Sequence, residues 1–313
     1  MKSLRQLPVL LAVLLVSCSL SAQAKKSTAK SAPKAEQPGW KQVPIPPLRQ
    51  FHPQEPRRVA LPNGMVLFLQ EDHELPLIDG VIRIRGGRRD DPATKVGLTA
   101  IYAEAWRTGG TKSKTGDELD DFLETRAAQV EAGAGADATS LSWSSLKGDF
   151  DQVFAVVLDV LQHPEFRQEK IDLARNQINT AITRRNDDIN AIVQRESGKL
   201  AYGADSPYAR SAEYATIAAV TRGDLIELHK RTVVPSNMIL GVTGDFDSAA
   251  MERKLREAFA ALPPGSPVPK SEIALHPASP GIYLVEKNDV NQSEISMVTL
   301  GIERSNPDYY AIE

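Results

Sequence analysis

Histidine is the first place to look for metal or acid–base chemistry, and this 313-residue chain has five, at positions 52, 73, 163, 229 and 276. Two imidazoles on one helix can share a metal only when they lie on one face, three or four residues apart. No two of the five are two, three or four apart, and none lies between His73 and His163. His163 stands before a proline at a helix end, where an imidazole meets terminal carbonyls rather than a metal. Cys18 is the one cysteine, which excludes an internal disulfide and any cysteine-rich metal site. Gly86-Gly87 and Gly109-Gly110 lack the lysine and hydroxyl of a phosphate loop and read as turns. No Gly-x-Ser-x-Gly elbow offers a nucleophile. The pairs Asp90-Asp91, Asp120-Asp121 and Asp187-Asp188 read as solvated faces, and Trp106 and Trp143 fall at inward-facing core positions.

The composition, 42% hydrophobic and 25% charged, suits a folded globular body. Charge is unevenly placed. Residues 1–24 carry +2 and residues 25–58 carry +6, which leaves −11 of the net −3 for residues 59–313. An acidic body argues against nucleic-acid binding, which needs a basic face. Residues 1–24 read as a secretory signal, with Lys2 and Arg5 ahead of an apolar run from Leu7 to Val16 that is too short to span a bilayer. Two processing readings stand side by side. Ala22-Gln23-Ala24 suits ordinary signal peptidase, and Leu15-Val16-Ser17-Cys18 resembles a bacterial lipobox in which Cys18 would be lipidated. Residues 25–58, rich in Lys, Ala, Ser and Pro, read as a basic flexible tether. No later stretch is apolar enough to be a transmembrane helix, so the expectation is an exported protein, soluble or held by a lipid anchor.

The elements that must position any site follow from periodicity. Val59-Ala60-Leu61, the turn Pro62-Asn63-Gly64 and Met65 to Leu69 form a hairpin pattern. Leu77 to Arg85 alternates, with Ile78, Gly80, Ile82 and Ile84 on one side. From Gly97 the period becomes helical through Leu98, Ile101, Tyr102, Ala105 and Trp106. Thr115 with Glu118 makes a capping box for the next helix. Val130 to Leu146 is a β region, and its Ala132-Gly133-Ala134-Gly135-Ala136 is small enough for close backbone approach. A helix from Asp149 to His163 is followed by a longer one from Arg167 towards Tyr202. Thr221 with Asp224 caps a helix to Arg231, Met238 to Val242 is a buried strand, and Asp247 or Ser248 caps a last helix to Leu262. Residues 263–280 read as a linker, and Ile282 to Glu286 and Ile295 to Ile302 as two further strands. Runs of strands and helices without strict alternation predict an α+β fold, a mainly antiparallel sheet with helices on one face.

The order of these pieces resembles the pitrilysin/insulinase family of zinc peptidases, which includes the mitochondrial processing peptidase subunits. The resemblance covers roughly residues 57–313. It rests on Leu61-Pro62-Asn63-Gly64, on Gly97-Leu98 leading to Gly109-Gly110-Thr111, on Leu161-Gln162-His163-Pro164-Glu165-Phe166, on Tyr202-Gly203 with Ser206-Pro207-Tyr208, on Pro235-Ser236-Asn237-Met238, and on Gly241-Val242-Thr243-Gly244-Asp245. It implies a metallopeptidase-like α+β unit over 59–262 and the incomplete start of a second such unit at 281–313. A unit ending after two strands leads to the expectation that the chain is a piece of a longer protein. Active members of the family carry His-x-x-Glu-His on the helix begun by the Gly-Leu pair, two histidines holding zinc and the glutamate activating its water. Anchored on Gly97-Leu98, the corresponding positions here are Ala100, Ala103 and Glu104, and the third ligand falls at Ala181. The resemblance therefore implies no catalytic or metal-binding residue in this chain, with Glu104 either a surface residue or an acid that touches substrate.

The resemblance and the export signal together lead to the expectation of an exported, non-catalytic subunit of a pitrilysin/insulinase-type peptidase, in the bacterial periplasm or lipid-anchored at the cell envelope. It would pair as a heterodimer with a catalytic subunit of the same family, which alone would carry zinc, and would clamp extended peptide by its sheet edges. Two other readings remain open. One is a lipid-tethered envelope binding or assembly protein that uses the fold as a scaffold. The other is an active zinc metallopeptidase, which the fold alone would suggest.

Overall fold

The computed structural model describes residue 50, residues 53–269 and residues 273–312. The expected signal segment, Cys18 and most of the expected tether lie outside the described residues. The hairpin pattern forms β1 (Arg57–Ala60) and β2 (Val66–Glu71), antiparallel, with Val59 opposite Leu67. Asn63 fixes the turn, its Oδ1 accepting the Met65 N–H and its Nδ2 donating to the Phe259 carbonyl. β3 (Leu77–Arg85) follows, then α1 (Leu98–Thr108) and α2 (Gly116–Glu124), the latter closed by the Thr115/Glu118 capping box. β4 (Gln129–Ala134) and β5 (Ala138–Leu146) form a second hairpin.

The second half is helical around one strand. α3 (Phe150–Gln162) buries Phe150, Val153, Phe154, Val157, Val160 and Leu161, the i, i+3, i+4 stripe of a helix laid on a core. The long helix expected from Arg167 to Tyr202 is instead two helices, α4 (Gln168–Arg184) and α5 (Ile189–Tyr202). Asp188 causes the break, since its side chain accepts the Ala191 N–H and starts a new helix. α6 (Tyr214–Ala218) leaves no trace in the periodicity, being barely more than one turn. α7 (Arg222–Thr232), β6 (Met238–Gly244) and α8 (Ser248–Ala260) follow, with the Thr221/Asp224 box and the Asp247 cap in place.

The strands form one sheet in the order β1-β2-β6-β3-β5-β4. β6, last in the chain, enters the middle, parallel to β2 and antiparallel to β3. Alternation decides the faces. Ile78, Ile82 and Ile84 of β3 and Met238, Leu240 and Val242 of β6 are buried, whereas Val81, Arg83 and Ile239 are exposed. The helices therefore cover one face, as the α+β expectation required. Each fully buried Leu or Ile there contributes roughly 1.5–3 kcal/mol of transfer free energy. Gly80 lies directly opposite Trp143, and a Cβ on it would stand 2.1 Å from Trp143 Cζ2. The indole thus occupies the space a side chain at 80 would need.

The two late strands depart from expectation. Residues 263–269 and 273–280 have no regular structure, yet they are tied to the body. Val268 N–H donates to Asn237 Oδ1 (2.7 Å), His276 N–H to the Tyr202 carbonyl (3.1 Å) and Ala278 N–H to the Leu200 carbonyl (2.8 Å). Residues 282–286 and 295–302 form no ladder, and Ile282, Leu284, Ile295 and Met297 are largely exposed. Alternating apolar residues encode a strand only when a second strand satisfies its N–H and C=O groups, and none among the described residues does so.

Candidate functional site

Helix α1 carries the positions where metal chemistry would stand, and the structure explains why it is so firmly placed. Gly97 starts it in the left-handed region, φ +104°, where a side chain would also run into Ile217. Two amides at its N-terminus are satisfied from outside the helix. Asp91 accepts from the Gly97 N–H (2.9 Å), the Thr99 N–H (3.0 Å) and the Thr99 hydroxyl. Burial pushes the Asp91 carboxyl above the usual carboxylate range, against these hydrogen bonds, which pull it down. The reading of Asp90-Asp91 as a solvated face is corrected here, whereas Asp120-Asp121 and Asp187-Asp188 are exposed as expected. Asp91 is only 4% exposed, Asp90 accepts the Gly87 N–H, Asp120 pairs with the Arg107 guanidinium, and Asp188 caps α5.

The inward face of α1 builds an aromatic cluster. Tyr102, Trp106, Phe166 and His229 meet with ring centroids 5.2–6.0 Å apart. His229 Nε2–H donates to the Leu161 carbonyl (3.0 Å), which leaves Nδ1 to accept from the Tyr102 hydroxyl (2.9 Å). Burial lowers its pKa to about 4, with only the Leu161 carbonyl opposing, so it is a neutral core histidine. Trp106 Nε1–H donates to the Val160 carbonyl. The loops around this cluster are held by arginines. Arg167 donates to the Gly109 and Thr111 carbonyls, and Arg222 to those of Glu165 and Phe166. Gly109-Gly110-Thr111 and Leu161–Phe166, far apart in the chain, are thus one structural knot.

The other histidines do not assemble a site. His163 meets the Asp159 carboxylate (3.1 Å) rather than the terminal carbonyls expected for it. His73 lies between Asp245 (2.6 Å) and Glu71 (3.4 Å), whose carboxylates hold its pKa above the ordinary histidine value. His276 donates its backbone amide to the Tyr202 carbonyl, and His52 lies outside the described residues. Among the described residues no group of three or more His, Cys, Asp or Glu is arranged to hold a metal.

The positions that the sequence resemblance would align with a zinc site lie on the other side of α1 from the aromatic cluster. Ala100, Ala103, Glu104 and Arg107 share one face by helical spacing. That face looks onto β4, because Arg107 Nε–H donates to the Val130 carbonyl (2.8 Å). Ala103 is buried, Ala100 half-buried and Glu104 exposed, while Ala181 sits exposed on α4, which packs against α1. One carboxylate and three methyl groups do not fit zinc, which needs three protein donors.

β4 is an edge strand. Its register with β5 continues into the Gly135 N–H to Ala138 carbonyl bond, so residues 129, 131 and 133 bond to β5. Val130, Ala132 and Ala134 therefore turn their N–H and C=O groups to the open flank, and the Arg107 bond to Val130 agrees. Arg107 and Asp91 are the positioning residues that sequence reasoning missed. An arginine directly after the apolar stripe of the helix, and an aspartate six residues before the helix-starting glycine, were the available signals.

Two family profiles match this chain. One described as "Insulinase (Peptidase family M16)" matches residues 76–207, and one described as "Peptidase M16 inactive domain" matches residues 219–313. An uncharacterized zinc protease of Mycobacterium leprae (strain TN) is 23% identical over 207 residues, 64% of this chain and 45% of that protein. Among solved structures, a peptidase M16 inactive domain from Pseudomonas fluorescens aligns with TM-score 0.63 at 22% identity, over 69% of this chain and 53% of the other. The first half of the periplasmic protease PqqL from Escherichia coli aligns with TM-score 0.60 at 20% identity, over 70% and 48%. At these identities the structural likeness is one of fold. A metallopeptidase-type α+β unit is thus the class that the sheet, the helices and the matching folds define. The chain belongs to the insulinase family, peptidase family M16. It spans about half the length of the relatives it matches. The gap between the two profiles, 208–218, falls inside one folded unit, since β6 pairs with both β2 and β3.

Proposed function

We propose that this protein is an exported, non-catalytic peptidase-family subunit that holds an extended peptide for a zinc-bearing partner of the same family. One observation carries the reading: the N–H and C=O groups of Ala132 and Ala134, which find no partner among the described residues, lie beside a helix face that offers Ala100, Ala103 and Glu104 where a metal site would stand. An added peptide strand would complete the hydrogen bonds of this edge, and the small side chains of residues 132–136 leave room for its own. The partner would supply the zinc and its activated water. This chain would supply main-chain hydrogen bonds that keep the peptide extended.

The test is fluorescence anisotropy of a labelled, unstructured peptide titrated with the full chain, beside a hydrolysis assay with added zinc. Ala132→Pro removes an outward N–H and leaves the ladder to β5 intact, since proline is tolerated at a strand edge. Saturable binding that weakens about tenfold in Ala132→Pro, roughly the 1.4 kcal/mol expected for one or two lost hydrogen bonds, supports the reading. Chelator-sensitive hydrolysis by this chain alone sinks it.

A further inference from the structure

Glu104 is the one α1 residue at the former metal positions that still carries a charge. It is exposed, and no hydrogen bond or ion pair engages its carboxylate among the described residues. Its carbonyl accepts only from Thr108 in the next helical turn. The nearest cation on the same helix face, Arg107, is already committed to Asp120 and the Val130 carbonyl. Ala100 and Ala103 beside it end at Cβ, so neither reaches over the carboxylate, which is exposed.

The placement of Glu104 along β4 follows from the ends of α1. At the N-terminal end, Arg88 and Arg89 donate their backbone N–H groups to the Gly135 and Ala136 carbonyls, and Asp91 then caps the helix. At the C-terminal end, Arg107 reaches Val130. Helix and strand therefore run in opposite directions. At about 1.5 Å per helical residue and about 3.3 Å per strand residue, Glu104 lies beside Glu131 and Ala132. A peptide strand seated on the open flank passes this point.

Resting on the peptide-holding reading, we infer that Glu104 selects a lysine or arginine side chain on the bound peptide. A peptide residue whose side chain projects towards α1 would meet an exposed carboxylate, and a long flexible cation would reach it. Charge complementarity favours the same occupant, because residues 59–313 carry −11 and Glu131 on the outer face of β4 is also exposed. The general field would raise the encounter rate for any basic peptide. Glu104 makes the preference local to one side chain.

The experiment uses the full chain and labelled extended peptides that differ at one central residue, lysine, norleucine or glutamate. Anisotropy at low ionic strength reads Kd for each, and melting temperature confirms that the variants are folded. The expected result is roughly a fivefold preference for lysine over norleucine, the size of an exposed ion pair. The ratio falls to near one in Glu104→Gln and inverts in Glu104→Lys, whereas Ala132→Pro weakens all peptides alike. A lysine preference that survives Glu104→Gln, or binding indifferent to the central residue, overturns the inference and leaves edge docking standing. Absence of any peptide binding overturns both.

Discussion

At the scale of single residues, His229 shows how a side chain with catalytic potential becomes a structural one. Both ring nitrogens are satisfied, three aromatic rings surround it, and its pKa stands at about 4 against 6.5 for a free histidine. A base whose folded pKa is depressed leaves the unfolded chain with more bound protons between the two values. Stability from this group is therefore present above about pH 6.5 and is lost as pH falls towards 4. The span corresponds to on the order of 3 kcal/mol. Chemical denaturation between pH 7 and 4 should show this slope, and His229→Gln should flatten it while lowering stability at pH 7, with Tyr102 and the Leu161 carbonyl left in a poorer arrangement. An unchanged slope in the variant would locate the acid sensitivity elsewhere. The sequence could say that His229 stood apart from the other histidines, but not that Tyr102 and Leu161 would meet it. That Ala100, Ala103 and Glu104 share one helix face was readable from their spacing alone. The Arg107 bond to Val130 was not, because a tertiary contact leaves no local pattern.

At the scale of elements, local chemistry was legible wherever it acts within a few residues. Thr115, Thr221 and Asp247 cap the helices they precede, and the Asn63 turn joins β1 to β2. What periodicity hid was a competition inside one apolar run. Between Arg185 and Asp188 helix gives way, because the Asp188 side chain offers the Ala191 N–H a better partner than continued helix does. The apolar repeats at 282–302 misled for a different reason: alternation records which residues want burial, not whether a partner strand is there. Gly80 belongs to the inward stripe that alternation predicts, although a stripe alone cannot show that a glycine is obligatory. With Trp143 filling its place, Gly80→Ala should destabilise the protein by about 1–3 kcal/mol as an overpacked core does. Urea melts of that variant beside Gly148→Ala, where a Cβ would meet nothing within 4 Å, provide the check. Equal stability of the two would mean that the indole moves freely.

At the scale of the whole molecule, the charge asymmetry and the α+β architecture were already visible in composition and element order. Among the described residues no helix is long and apolar enough to cross a membrane. The contrast between the packed body and residues 281–302 predicts where a protease cuts. Brief digestion with a low-specificity protease should leave a core containing β1 to α8, its C-terminal end lying beyond residue 262 by mass measurement. Early cuts within residues 66–260 would contradict that division. The place of β6 has a further consequence, in time rather than space. The hairpins β1–β2 and β4–β5 can form as soon as they are synthesised, but the strand that joins the two halves of the sheet is the last one made. Until residue 244 is available, β2 and β3 each present an unpaired edge in the nascent chain. Long-range pairing of this kind slows folding and exposes intermediates to aggregation. Completion of this sheet therefore waits until most of the chain has been made.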